Sequence, residues 1–141
     1  MFTIKKVPRV KSIVEKGTPE KPAIRKSFDG RNINYVKELN VAGENIRINL
    51  WDHGRKDGDI VSIYLNGEAI VSKYLLEYTK KVFDITLDSS KPNDLFLYAH
   101  NLGRFPPNTV SIEITDGVVS ENIILNSDLK SCEAVIINVN K

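Results

Sequence analysis

The chain has 141 residues, of which 41% are hydrophobic and 27% are charged, and these proportions are typical of one globular domain. They exclude wholesale disorder, and no apolar run approaches the ~20 residues of a transmembrane helix. The net charge of +2 is divided unevenly. Residues 1–31 hold nine Lys or Arg against three acids, for +6, and residues 32–141 hold eleven against fifteen, for −4. We therefore expect a basic arm, 1–31, followed by one mildly acidic domain, 32–141.

The arm is predicted to be an extended segment or linker. Pro8, Pro19, Pro22 and Gly17 disfavour a regular helix within it. Its first residues, MFTIKKVPRVKS, lack the continuous apolar core of a signal peptide. The arm also lacks the arginine density and interleaved aromatic residues of a nucleic-acid ligand, so we expect no nucleic-acid partner. Four apolar residues within it could add an edge strand to a sheet: Val7, Val10, Ile13 and Val14.

From Asn32 onward, short β-branched runs alternate with turn residues, which is typical of an all-β sandwich or barrel. Apolar and polar residues alternate within the runs, so each strand should bury one face and expose the other. The predicted strands are Ile33–Val41, Ile46–Leu50, Ile60–Leu65, Glu68–Tyr74, Val82–Leu87, Leu95–His100, Val110–Thr115, Ile123–Asn126 and Ala134–Val139. We predict a single immunoglobulin-like antiparallel β-sandwich of about eight to nine strands.

Three short motifs predict the connections between these strands. Asn66-Gly67 favours the positive φ values of a type I′ turn, which should join its flanking strands as a hairpin. Asp116-Gly117 predicts a second tight turn. Phe105-Pro106-Pro107-Asn108 contains two prolines that cannot donate ladder hydrogen bonds, so this stretch should be a crossover or a corner.

The acidic stretch WDHGRKDGD lies between two predicted strands. Asp52, Asp57 and Asp59 could supply hard oxygen ligands to calcium, although their spacing is not that of an EF-hand loop. Alternatively, these side chains accept backbone N–H bonds inside the loop, as in Asx-turns. Arg55 and Lys56 would weaken cation binding by placing positive charge at the tip of the loop. Both interpretations remain open, and calcium is the one possible cofactor.

Three tyrosines follow the acidic stretch: Tyr64, Tyr74 and Tyr78. They could form an exposed aromatic strip on which sugar rings stack, and they would then be ligand-binding residues for a carbohydrate. Ordinary cross-strand aromatic pairs explain them equally well.

Catalytic chemistry finds little support in the sequence. His53 and His100 are the only histidines, and neither lies in a nucleophile motif near Cys132, the single cysteine. Asp57 and Asp59 are two residues apart on a turn, so both should face water instead of flanking a substrate cleft. We expect a protein that is not an enzyme.

Three segments, WDHGRKDGDIVSIYLNGEAIV, LFLYAHNLGRFPPNTVSIEITDG and ILNSDLKSCEAVIINV, resemble a β-sandwich domain of secreted and outer-membrane-associated proteins of Bacteroidota. The first family motif reads W/YDNG, two variable residues, DGD, then VS, two hydrophobic residues and LNG. The second reads AxNxG followed by PPNT. His53 replaces the usual Asn of the first motif. The matching residues are Trp51, Asp52, Gly54, Asp57, Gly58, Asp59, Val61, Ser62, Leu65, Asn66, Gly67, Ala99, Asn101, Gly103, Pro106, Pro107, Asn108 and Thr109.

The resemblance runs from about Ile33 to Asn140. It implies a sandwich fold and a periplasmic, outer-membrane-associated or extracellular location, and it implies no catalytic residue. The leading hypothesis is a non-catalytic binding or assembly module of a bacterial cell envelope or secreted protein, with a protein partner or a neighbouring domain. The second is a calcium-dependent carbohydrate-binding module. The third is a structural subunit whose N-terminal segment pairs with a neighbour's sheet edge.

Overall fold

A computed structural model of the chain describes residues 24–52, 58–101 and 108–140. These residues form ten β-strands and no helix, which confirms the predicted all-β class; none of them therefore belongs to a helix able to cross a membrane. The strands are β1 (Ser27–Phe28), β2 (Arg31–Val41), β3 (Asn45–Asp52), β4 (Ile60–Leu65), β5 (Glu68–Leu75), β6 (Lys81–Thr86), β7 (Asn93–Ala99), β8 (Asn108–Thr115), β9 (Ser120–Ser127) and β10 (Ser131–Val139).

The strands form one curled, hydrogen-bonded sheet in the order β5-β4-β7-β10-β9-β8-β3-β6, and β2 pairs with the remaining edge of β10. Only Ser127 and Cys132 pair between β9 and β10, and β7 is the neighbour of β10 from Ala134 onward. β10 therefore changes its neighbour on this edge from β9 at its start to β7 farther along. We call β1, β2, β10, β7, β4 and β5 the first half, and β9, β8, β3 and β6 the second half.

The main hydrophobic core takes buried side chains from both halves of the sheet. Along β3, Ile46, Ile48 and Leu50 are buried, whereas Arg47 between them is exposed. This pattern follows from the alternation of side chains across a strand. Each fully buried aliphatic side chain contributes about 1.5–3 kcal/mol relative to the exposed state.

A second cluster lies on the other face of the first half. Its buried members come from β2, β7 and β10, and three partly buried aromatic residues pack on them. As a result, β7 is buried along its whole length. The members are Ile33, Phe96, Tyr98, Cys132 and Ala134, with Phe28, Tyr35 and Tyr64 packed against them.

Two features differ from the sequence-based prediction. The two-residue strand β1 raises the number of strands to ten, and it is too short to show any periodicity. β2 and β10 pair in parallel along Ser131–Val139, so the sheet is not antiparallel throughout. Parallel neighbours need a long connection and leave no turn signal between them.

The predicted turns are confirmed where the structure describes them. Asn66 and Gly67 have φ values of 54° and 89° and join β4 to β5. The turn between β8 and β9 has Gly117 at φ 94°. There, Oδ1 of Asp116 accepts the N–H groups of Val118 and Val119, each at 2.9 Å. The predicted corner at Phe105-Pro106-Pro107 lies outside the described residues.

Candidate functional sites

One end of the main core carries two buried acidic residues, which we call the acidic pole: Asp52 and Asp59. Asp52 lies two residues after the core residue Leu50, and Asp59 lies two residues before the core residue Val61. Because side chains alternate along a strand, both carboxylates face the core side. Each residue is only 3% exposed. An ionised carboxylate at such a depth is costly unless it is paired or hydrogen-bonded.

The backbone brings these two residues to one place. The N–H of Asp52 donates to the carbonyl of Glu77 at 2.8 Å, and the N–H of Leu76 donates to the carbonyl of Asp59 at 2.9 Å. Asp52 and Asp59 are therefore hydrogen-bonded to two consecutive residues, Glu77 and Leu76, and lie close together. Asp57, the third residue of the predicted calcium site, lies outside the described residues.

Two asparagines join the strand ends at the same pole. Nδ2 of Asn108 donates to the carbonyl of Asn101 at 2.7 Å, and Nδ2 of Asn101 donates to the carbonyl of Gly58 at 3.0 Å. Oδ1 of Asn101 accepts the N–H of Ile60 at 3.0 Å. Sequence reasoning placed both asparagines in the second family motif but gave them no role. They connect the end of β7 to the starts of β4 and β8.

The chemistry of the acidic pole suits a hard cation, since carboxylate and amide oxygens are the ligands that calcium prefers. However, the described residues contain no group of three or more His, Cys, Asp or Glu side chains that could hold a metal ion. Calcium binding through Asp52, Asp57 and Asp59 remains a prediction.

The three predicted ligand-binding tyrosines do not form one strip. Tyr64 belongs to the second cluster and stacks on Phe96, with 5.3 Å between ring centroids and 9° between planes. Tyr74 packs against the main core, and Nζ of Lys81 lies 5.1 Å from its ring centroid. Tyr78 is exposed beyond the end of β5. Tyr64 pairs with Ala69, whereas Tyr74 pairs with the core residue Val61, so the two rings lie on opposite faces. A ligand role for any one of the three tyrosines remains a prediction.

The end of the arm is bound to the first half by the ion pair of Arg25 and Asp94 and by Tyr35, which is hydrogen-bonded to both. We call these three residues the arm anchor. Nε of Arg25 lies 2.6 Å from Oδ2 of the fully buried Asp94. The Tyr35 hydroxyl donates to the same oxygen at 3.1 Å and accepts the N–H of Arg25 at 3.0 Å. The hydrogen bond to Asp94 raises the pKa of Arg25. Burial is the main reason that the pKa of Tyr35 rises to about 12.

A second arginine extends this contact along the outer face. The Arg31 guanidinium lies 3.7 Å from the centroid of the Tyr98 ring. Its Nη1 donates to the carbonyls of Ala99, at 2.6 Å, and Asp128, at 3.1 Å. The Tyr98 hydroxyl donates to the Asp29 carboxylate. These contacts escaped sequence reasoning because a run of basic residues usually indicates a solvated segment. The division at residue 31 remains a prediction, although residues 25–31 contact the body.

Ser62 and His100 form the one serine–histidine pair found among the described residues. Oγ of Ser62 lies 2.7 Å from Nε2 of His100 and accepts the N–H of Lys73 at 3.0 Å. Burial, followed by the charges of Lys73 and Arg31, lowers the pKa of His100. The distance is that of a nucleophile and its base, but Ser62 is buried and its hydroxyl is closed to a substrate.

A groove of about 520 Å³ lies between β5 and β6, which are the outermost strands of the two halves. Ile70 and Phe83 line its apolar part. Its charged residues, within the described chain, are all acidic: Glu68, Asp84 and Asp88. We call it the acidic groove.

Comparison of the chain with protein-family models, with curated proteins and with solved structures finds no match. We therefore infer its function from its own residues and their geometry.

Proposed function

We propose that the chain is a non-catalytic, immunoglobulin-like β-sandwich module that binds a protein partner in a bacterial cell envelope or secreted protein. The sandwich is supported by the main core, because both halves of the curled sheet contribute side chains to it as two facing sheets would. A periplasmic, outer-membrane-associated or extracellular location is supported by the two loop motifs that resemble the Bacteroidota domain.

The observation that carries the binding function is the open edge at β6. Within the described residues β6 pairs with β3 alone, and its register over Lys81–Thr86 contains no shift. Val82 on this strand is 54% exposed. A regular edge strand with unused backbone groups is a template for a strand from another chain. The acidic groove beside it adds side-chain contacts that can select the partner.

Site-specific photo-crosslinking tests this function. A photoreactive amino acid at Val82 should yield covalent adducts with protein when the chain is mixed with a bacterial envelope fraction. The same amino acid at Val118, which is also exposed but lies in the turn between β8 and β9, serves as the control and should yield none. Equal labelling at both positions, or none at Val82, would contradict binding through the β6 edge.

A calcium-dependent carbohydrate-binding module is the second candidate, and the convergence of Asp52 and Asp59 at one pole favours it. Excess calcium should then raise the free energy of unfolding by about 2.7 kcal/mol at a hundred times the dissociation constant. Asp59→Asn should abolish this rise, whereas Asp116→Asn in the β8–β9 turn should keep it. Signals on a glycan array should disappear in EDTA. Identical melting curves in calcium and EDTA would leave the acidic pole with a structural role only.

A further inference from the structure

We propose that the acidic groove binds the N-terminal arm of a second copy of this chain, and that this arm adds to β6 as a strand. The inference rests on the proposed protein-binding function and names the partner. It also gives a specific form to the structural-subunit hypothesis, since two copies that exchange arms make a closed two-fold dimer.

The backbone of β6 identifies the groups that would receive the arm. The N–H of Leu87, just after β6, donates to the carbonyl of Glu44 at 2.7 Å, on the β3 side. Because successive residues of a strand point their N–H and C=O groups to opposite sides, those of Val82, Asp84 and Thr86 point away from β3. The free edge thus offers three evenly spaced donor–acceptor sets.

The other sheet edges are less regular. The register of β5 against β4 shifts twice, and Lys73 within β5 has a φ of 48°. The register of β2 against β10 shifts between Ala134 and Val135, and β1 covers the start of β2. Bulges of this kind interrupt the pairing that a new strand would need. β6 is therefore the best template among the described strands.

Charge complementarity indicates the occupant. The groove is lined by Glu68, Asp84 and Asp88 and, within the described chain, by no lysine or arginine. Arg47 pairs with Asp84 from outside the groove at 2.9 Å, so Glu68 and Asp88 contribute most of the negative charge. Residues 1–23 hold six Lys or Arg against two Glu, for a charge of +4. Opposite charges on two surfaces increase the rate of association and disfavour wrong partners. The arm also contains apolar residues that suit the apolar part of the groove: Val7, Val10, Ile13 and Val14.

The position of the arm anchor favours a second copy over the same molecule. The Arg25 guanidinium lies 3.4 Å from the place of a Cβ on Gly67, and Gly67 follows Asn66 at one end of the groove. Asp88 lies at this end too, since its N–H and the Asn66 amide both donate to Oδ1 of Asn93 at 2.8 Å. The anchor lies near the C-terminal end of β6. If the arm of the same molecule entered the groove from there, it would run parallel to β6. An arm from a second copy can enter from the opposite end and pair antiparallel, which is more stable per residue.

Sedimentation equilibrium of the full chain, at low and high salt, tests the inference. We expect a dimer that weakens as salt increases, because exposed charges are screened. Glu68→Lys should weaken dimerisation by about tenfold or more. The control Glu44→Lys, an equally drastic change at an exposed position outside the groove, should leave the dimer intact.

A charge swap ties the groove to the arm. Changing Lys5, Lys6, Arg9 and Lys11 to glutamate should also weaken the dimer. Combining these changes with Glu68→Lys and Asp84→Lys, which makes the groove positive and the arm negative, should restore much of it. If neither set of substitutions changes the dissociation constant of the dimer, the inference is overturned, because the interface would then lie elsewhere.

Proline and threonine at one position separate backbone pairing from simple charge attraction. Val82→Pro removes an N–H that points to the free edge and leaves the bonds to β3 in place, so it should abolish the dimer. Val82→Thr keeps that N–H and should leave the dimer intact. Equal melting temperatures would show that both variants fold. A strict monomer at high concentration and low salt would overturn the second copy as partner. The proposed function would survive that result if Val82 still cross-linked to a different protein.

Discussion

Two arginine–aspartate pairs in this protein have the same chemistry and opposite surroundings. Arg25 and Asp94 meet at 2.6 Å on a carboxylate that is fully buried, and Arg47 and Asp84 meet at 2.9 Å with side chains that are 59% and 68% exposed. In the first pair, loss of one partner leaves a buried charge behind. In the second, water replaces the lost partner. The comparison indicates that burial, and not the length of the contact, decides how much each pair contributes to stability.

The largest effect is expected at the arm anchor. Arg25→Ala should lower the free energy of unfolding by about 3–5 kcal/mol, because it strands the Asp94 carboxylate in a buried site. Arg47→Ala is the matched control and should cause no measurable change, since both partners are exposed. Chemical denaturation followed by circular dichroism measures both variants. Equal decreases in the free energy of unfolding would show that burial does not determine how much the two pairs contribute.

A smaller effect is expected at the turn under Arg25. Gly67 has a φ of 89°, and a Cβ there would lie 3.4 Å from the Arg25 guanidinium. Gly67→Ala should cost about 1–2 kcal/mol, because L-residues disfavour this conformation. The control is Gly43→Ala, where a Cβ meets nothing within 4 Å and φ is not positive. Thermal melting of the two variants should separate them, and a stable Gly67→Ala protein would argue against strain at this turn.

The third effect concerns the hydroxyl that bridges the anchor. Tyr35→Phe should cost about 0.5–1.5 kcal/mol, the usual contribution of one hydrogen bond. The pKa of Tyr35 is raised from 10.0 to about 12, so the neutral hydroxyl stabilises the fold fully below pH 10. This contribution is lost as the pH rises toward about 12. Ultraviolet titration of tyrosinate should show a late step that disappears in Tyr35→Phe, and an unchanged titration curve would contradict the assignment.

The smallest effect is expected at His100. Its pKa lies below the ordinary value of 6.5, so the fold binds this proton less readily than the unfolded chain does. Stability from the neutral ring is present above pH 6.5 and is lost as the pH falls through the lowered value. His100→Gln should flatten this part of the stability profile, measured by denaturation across the acidic range. A slope that remained as steep would assign the acid sensitivity to other groups.

Local pattern was enough for most of the strands. The alternation of Ile46, Ile48 and Leu50 with polar residues predicted both β3 and its buried face. Asn66-Gly67 predicted the hairpin between β4 and β5, including its positive φ values. Such features depend on neighbours along the chain, so composition and spacing contain the information.

The candidate sites were predictable only in part. The sequence drew attention to Asp52 and Asp59. Their burial depends on which face of each strand they occupy and on their backbone hydrogen bonds to residues 76 and 77. It grouped Tyr64 with Tyr74, and the pairing of β4 with β5 places them on opposite faces. Residues that lie opposite each other across a hairpin share a face, so the pairing of the strands, and not proximity along the chain, decides which side chains form a strip.

The sequence by itself determined that this chain is all-β, where most strands lie, and that a basic segment precedes a mildly acidic body. Only the tertiary structure decided that β2 and β10 pair in parallel and that Arg25 reaches a buried Asp94 sixty-nine positions away. It also decided that β6, within the described part of the chain, has an open edge beside an acidic groove. The physical reason is the range of the interactions. Alternation and turns are set by adjacent residues, whereas edges, grooves and buried ion pairs depend on which distant segments meet.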